Sequence, residues 1–337
     1  MSTSATDDAI ARAAEAVSEE HYRGSDGQAA RHTTDTAVIL RRLRLLDLQP
    51  GQRVLEIGTG SGMSSALLAE LTGSEGRVVS VDILANLTER AARLHAEAGY
   101  TTVTTLARDG LSGAPEYAPF DRIIAWTSPP RLPDTWLAQT APGAVILHPL
   151  PTARLVYSTA LLRCVVDAEG VPIKPSVHRA DCVRMDAPYR EAAETDAADA
   201  ATEQGYVSAE WLHGRGGTLA RDILSGLLEA PHSEDTYLTW PECDHLRPWL
   251  IARRPHRLIS AGRGNEIGYG LVDGDKGEHV ALFVLLPRPR LVADSAHSPA
   301  LHRLRALIDE WHADGQPATD THTPELHRIE EGWRISL

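Results

Sequence analysis

Val54-Leu55-Glu56-Ile57-Gly58-Thr59-Gly60-Ser61-Gly62 is an apolar run that passes into a loop with glycine at every second position. Residues 61–71 then carry the apolar density of a helix, so the stretch reads strand, glycine turn, helix. That order lays bare backbone at the carboxyl edge of a sheet, where a ligand can come close. The flanks repeat the alternation. Strands are expected at 53–57, 77–81, 103–106, 120–126 and 144–147, and helices at 61–71, 85–98 and 133–139, with an earlier helix from Thr36 ended by Gln49-Pro50-Gly51. Strands and helices spaced this way predict right-handed crossovers and a doubly wound α/β domain.

Two acids sharpen the glycine loop. The second strand ends Ser80-Val81-Asp82-Ile83, a carboxylate 20 residues beyond Gly62 that can accept both hydroxyls of a ribose. Asp109-Gly110 after the third strand offers an acceptor for an adenine amino group. The E-x-G-x-G-x-G loop lacks the G-x-G-x-x-G spacing that sets a helix amino terminus on a pyrophosphate. Adenosine without phosphate fits, and the expected cofactor is S-adenosyl-L-methionine, with S-adenosyl-L-homocysteine as product. Its expected binding set is Glu56, Gly58, Thr59, Gly60, Ser61, Gly62, Asp82, Ile83, Asp109 and Gly110.

Composition narrows the classes. With 33 basic and 46 acidic residues the 337-residue chain carries a formal charge of −13, which disfavours a nucleic-acid binder. Its longest apolar run, Val280 to Leu286, is far short of the roughly 20 residues of a membrane span. Asp7, Asp8, Glu19 and Glu20 stand where a secretory segment would be apolar, so a cytoplasmic protein is expected. Three cysteines without metal-like spacing read as reduced thiols. His297, His302, His312, His322 and His327 are dispersed, so no metal is expected.

Beyond the first domain, 1–185, two β-rich runs are expected at 153–166 and 177–183. Residues 186–204, with six acids and one arginine, read as a linker. Glycines then crowd 262–277, and 205–337 is expected to be a second, α+β domain that recognises a peptide. Within it Arg263, Asn265 and Tyr269 are candidate peptide contacts, against the alternative of a tight hairpin.

The run from Leu46 to Gly62, Asp109-Gly110-Leu111-Ser112-Gly113, Tyr117-Ala118-Pro119-Phe120-Asp121 and Ser128-Pro129-Pro130-Arg131-Leu132-Pro133 resemble the protein-L-isoaspartate O-methyltransferases over about residues 25 to 185. The resemblance implies a Rossmann-like class I methyltransferase domain and carboxyl O-methylation of a peptide. In that family a small hydroxyl residue before the helix leading into the first strand helps hold the reactive carboxylate, a role that falls here on Thr34. The family's usual Ser-x-Pro is Thr34-Asp35-Thr36, its proline-glycine loop is His148-Pro149-Leu150-Pro151, and the carboxyl-terminal domain is an addition. These departures resemble the branch encoded with ribosomal peptide natural products such as lasso peptides, lanthipeptides and graspetides. That branch esterifies an aspartate of a constrained peptide and so leads to aspartimide.

Two other readings stand beside it, repair of isoaspartate in damaged proteins and a non-catalytic peptide-binding protein. An ionised carboxylate needs no general base to attack a methyl group, so the work left to the protein is placement and removal of water. His32, Thr33, Trp126, Thr127, Ser128 and His148 are the remaining substrate-side candidates.

Overall fold

The computed structural model describes residues 3–24, 34–180, 198–214 and 217–337. The chain divides into two compact units, one of residues 1–150, 161–184 and 326–334, the other of 151–160, 185–325 and 335–337.

In the first unit the expected alternation is present. Helices α1 (Thr3–Ala16), α2 (Glu19–Tyr22) and α3 (Thr36–Leu46) precede β1 (Arg53–Ile57), α4 (Met63–Thr72), β2 (Arg77–Asp82), α5 (Ala85–Glu97) and β3 (Val103–Ala107). After these come β4 (Phe120–Ala125), β5 (Leu132–Pro133), α6 (Asp134–Leu137), β6 (Thr140–Pro151), β7 (Thr159–Val166) and β8 (Pro172–His178). The sheet order is β3-β2-β1-β4-β6-β7-β8. β3, β2, β1, β4 and β6 run parallel, while β7 and β8 pair antiparallel. Order and direction together make this the Rossmann-like fold of class I methyltransferases.

Strands covered on both faces must be apolar throughout, which is why Val54, Leu55, Ile57, Val78, Val79 and Val81 are all buried. Ile10 of α1, Leu43 of α3 and Leu67 of α4 pack with Val54, Ile124 and Leu147 in one core. Asp35 caps α3 by accepting from the Ala37 amide at 2.8 Å.

The second unit holds β9 (Ala200–Thr202), β10 (Gly205–Ser208), α7 (Gly217–Glu229), β11 (His232–Asp235), α8 (Trp240–Arg253), β12 (Leu258–Arg263), β13 (Glu266–Asp273), β14 (His279–Leu286), β15 (Arg290–Ala293) and α9 (Pro299–Ala313). Its sheet, β11-β15-β14-β13-β12-β10-β9, is antiparallel, and Tyr269, Phe283, Leu246 and Trp311 share one core. This is the α+β architecture expected. A third sheet, β16-β17-β5, is made by β16 (Glu325–Ile329), β17 (Gly332–Ser336) and β5.

Several boundaries differ from the sequence reading. The predicted split at 205 is crossed twice, because 151–160 belong to the second unit and 326–334 to the first. The helix expected over 133–139 shrinks to Asp134–Leu137, since Leu132 and Pro133 are taken as strand by β17 and the Gln139 carbonyl accepts from Phe120 N. The strand expected from 153 begins at Thr159. Most of the acidic linker lies outside the described residues, and its end is β9.

Candidate functional site

Gly58, Gly60 and Gly62 turn the chain from β1 into α4, all with positive φ. Gly62 shows why glycine is required. Its φ is +89°, and a Cβ there would stand 2.9 Å from Ala91 Cβ and 3.2 Å from His95 Nε2. The carbonyls of the turn are also held, Gly62 O by His95 Nε2 at 2.9 Å and Ser61 O by the Arg90 guanidinium at 3.1 Å.

Asp82 closes the other side. Its Oδ2 accepts from Gly60 N at 3.2 Å and its Oδ1 from Leu84 N at 3.0 Å, so each oxygen keeps a lone pair for a further donor. Ile83 (73 % exposed), Leu84 (44 %) and Leu111 (45 %) lie one or two residues after Asp82 or Asp109 and are three of six large apolar side chains left exposed among the described residues. Asp109 is exposed and turns the chain by accepting from Leu111 N at 2.9 Å. Its turn is held from behind, where Trp136 Nε1 donates to Gly110 O at 2.8 Å and Gln139 binds Ala114 N and Ser112 O.

Residues 12–169 match the model of the Protein-L-isoaspartate(D-aspartate) O-methyltransferase (PCMT) family. They make up just under half of the 337-residue chain. A protein-L-isoaspartate O-methyltransferase of Methanosarcina mazei is 39% identical over 126 residues, 37% of this chain and 50% of the relative. One from Ignicoccus hospitalis is 40% identical over 131 residues, 38% of this chain and 60% of the relative. The chain thus spans about half the length of the curated relatives it matches. A solved protein-L-isoaspartate O-methyltransferase aligns at 18% identity and TM-score 0.45, over 98% of this chain and 95% of its own.

Within the residues that match this family model, three expected ligand contacts are buried. Glu56 is fully buried and accepts from Ser64 at 2.5 Å, Ser80 at 2.7 Å, Trp126 Nε1 at 2.8 Å and from Ser65. Both carboxyl oxygens are thereby filled, so Glu56 props the loop and does not reach a ligand. Burial pushes its pKa up, opposed by those donors. Thr59 is buried with its hydroxyl 2.7 Å from Ser80 Oγ. Ser61 is buried and its hydroxyl accepts from Met63 N at 3.3 Å.

On the substrate side, Thr127 and Ser128 are exposed at the end of β4, and Thr127 Cγ2 stands 3.7 Å from where a Gly58 Cβ would be. Thr34 lies just before the α3 cap, whose helix begins with Thr36, 3.9 Å from Met63 Sδ. The hydroxyl segment and the glycine loop are therefore neighbours. His32 and Thr33 lie outside the described residues.

Two substrate-side candidates have partners inside the fold. Trp126 is committed to Glu56, with Arg42 stacked 5.3 Å from its ring centroid, and it supports the loop. His148 is fully buried. Leu147 points into the core with α4, so the next residue of the strand points to the opposite face and meets Trp136 edge-on at 5.4 Å. Burial lowers the His148 pKa to about 4.

The peptide contacts expected in the second unit fare similarly. Tyr269 is fully buried and donates to Val156 O at 3.2 Å, and Arg263 donates to Leu227 O at 3.1 Å and Ala230 O at 3.2 Å. The glycine-rich run is a β12–β13 hairpin with only Asn265 and Gly264 exposed at its tip. Among the described residues no group of His, Cys, Asp and Glu could hold a metal, and no helix is long and apolar enough to cross a membrane.

The sequence reading missed Ser64, Ser65, Arg90, Leu84 and Leu111. Ser80 was within reach of it, because β1 and β2 pair Glu56 with Ser80 in register. Nothing in the spacing announces Arg90, which also donates to the carbonyls of Tyr22 at 2.9 Å and Arg23 at 2.8 Å.

Proposed function

We propose that the chain is an S-adenosylmethionine-dependent carboxyl O-methyltransferase acting on isoaspartyl residues of peptides or proteins. The observation that carries the reading is the half-used Asp82 carboxylate beside a glycine turn, with exposed Ile83 and Leu84 after it and exposed Leu111 after Asp109. A charged acceptor for two hydroxyls flanked by apolar side chains suits an adenosine, and exposing three such side chains is otherwise unfavourable. Asp82 would hold the ribose and Asp109 the adenine amino group. When bound, this cofactor supplies an electrophilic sulfonium methyl, which a carboxylate oxygen takes with release of S-adenosylhomocysteine. Thr34, Thr127 and Ser128 would place the carboxylate, already ionised at neutral pH, and exclude water from it. The match of residues 12–169 to the family model supports the isoaspartyl substrate.

A second reading, esterification of an ordinary aspartate in a constrained ribosomal peptide on the way to aspartimide, is favoured by Thr34-Asp35-Thr36 in place of Ser-x-Pro. The second unit would then recognise that peptide. The two readings separate when an isoaspartyl peptide, its ordinary aspartyl counterpart and a cross-linked aspartyl peptide compete for methyl groups. Preference for the isoaspartyl peptide is expected; preference for the cross-linked one would replace the first reading by the second.

A further inference from the structure

Residues 326–334 belong to the first unit and pair there with the loop that follows β4. β17 pairs with β5, Gly332 opposite Pro133 and Trp333 opposite Leu132. Arg131 donates to Glu331 O at 3.1 Å and to its carboxylate at 2.5 Å. Arg328 makes a two-bond ion pair with Asp134, one bond at 2.9 Å. Gly332 fits so closely that a Cβ there would lie 2.3 Å from Leu132 O.

The loop between has an unusual need for this support. Of Ser128-Pro129-Pro130-Arg131-Leu132-Pro133, three of six residues are prolines without an N–H, so the segment cannot hold itself by backbone hydrogen bonds. Its near end is fixed, Trp126 N donating to Ile57 O at 2.9 Å. Consecutive prolines are stiff, so wherever Arg131 to Pro133 are held, Thr127 and Ser128 are set as well.

We infer that the hairpin 325–336 is a positioning element of the substrate side: by anchoring the far end of the Trp126–Pro133 loop it sets affinity for the peptide and leaves cofactor affinity alone. The inference rests on the proposed methyltransferase activity only for its kinetic consequence. The hairpin lies outside residues 12–169, which match the family model.

Three variants of the full chain test it: Gly332→Val, Arg328→Asp, and Arg328→Asp with Asp134→Arg. The first two should raise KM for an isoaspartyl peptide roughly three- to thirtyfold, with kcat and the calorimetric Kd for S-adenosylmethionine within about twofold of wild type. The double reversal should recover most of the loss in KM. A KM unchanged in Gly332→Val overturns the inference, as does an equal loss of cofactor affinity. Hydrogen exchange reads the anchor without activity: amides at 127, 128, 131 and 132 should exchange faster in Gly332→Val while those of β1 do not. Unchanged exchange at those amides overturns the anchor whatever the substrate. A wild-type protein that methylates no peptide would instead overturn the proposed function, and the exchange comparison would still decide the anchor.

Discussion

Replacing Asp82 by alanine isolates the carboxylate on which cofactor recognition depends. Each oxygen accepts one backbone amide, from Gly60 and Leu84, and retains one lone pair. Two ribose hydroxyls would therefore meet one oxygen each. A hydrogen bond to a charged acceptor is worth about 1.5 to 3 kcal/mol, and part of the sum returns as the freed hydroxyls meet water, leaving a loss of about 2 to 4 kcal/mol. Calorimetry should then show S-adenosylmethionine binding weakened about 30- to 700-fold. Asp82→Asn keeps one acceptor oxygen and should fall between. Because the same carboxylate holds Gly60, melting of the unliganded variant must be followed in parallel, and a small loss of stability is expected. Affinity within about threefold of wild type in a folded Asp82→Ala protein would refute the reasoning and place the ribose elsewhere.

Three further outcomes follow from the geometry. Gly62→Val combines a left-handed backbone with contact against Ala91 and His95 and should cost about 2 to 5 kcal/mol in denaturant unfolding. His148, neutral in the folded state with a pKa near 4 against 6.5 when unfolded, costs the protein stability as pH falls, because between those values the unfolded chain binds the extra proton. The stability of wild type relative to His148→Leu should therefore drop by up to about 3 kcal/mol from pH 7 to pH 4, read by denaturant melts at each pH, whereas a pH-independent difference would contradict the buried neutral ring. Thr34→Ala should slow methyl transfer by roughly tenfold or more with cofactor affinity unchanged, and Thr34→Ser should be mild.

The parallel sheet was legible because its strands are apolar on both faces and its glycine loop has a fixed place, so Val54 to Gly62 determines most of the first unit. The places of Asp82 and Asp109, at and just beyond the carboxyl ends of β2 and β3, were legible for the same reason. The errors concentrate where side-chain direction depends on register. Trp126 follows the end of β4 and His148 lies within β6, and whether such a residue faces a ligand or a neighbouring helix turns on one step of the pleat. Glu56 looked like a ligand contact because it adjoins the glycines, yet four donors from α4, β2 and the end of β4 converge on it. The return of residues 326–334 to the first unit has no local signal, because Arg328, Glu331 and Gly332 acquire meaning only opposite Asp134, Arg131 and Leu132.

The most direct test of the central claim follows methyl groups from labelled S-adenosylmethionine to a short isoaspartyl peptide. The account predicts a base-labile methyl ester formed in step with S-adenosylhomocysteine, and its loss in Asp82→Ala at cofactor concentrations that saturate the wild type. Binding of the cofactor with no ester on any isoaspartyl or aspartyl peptide would contradict it.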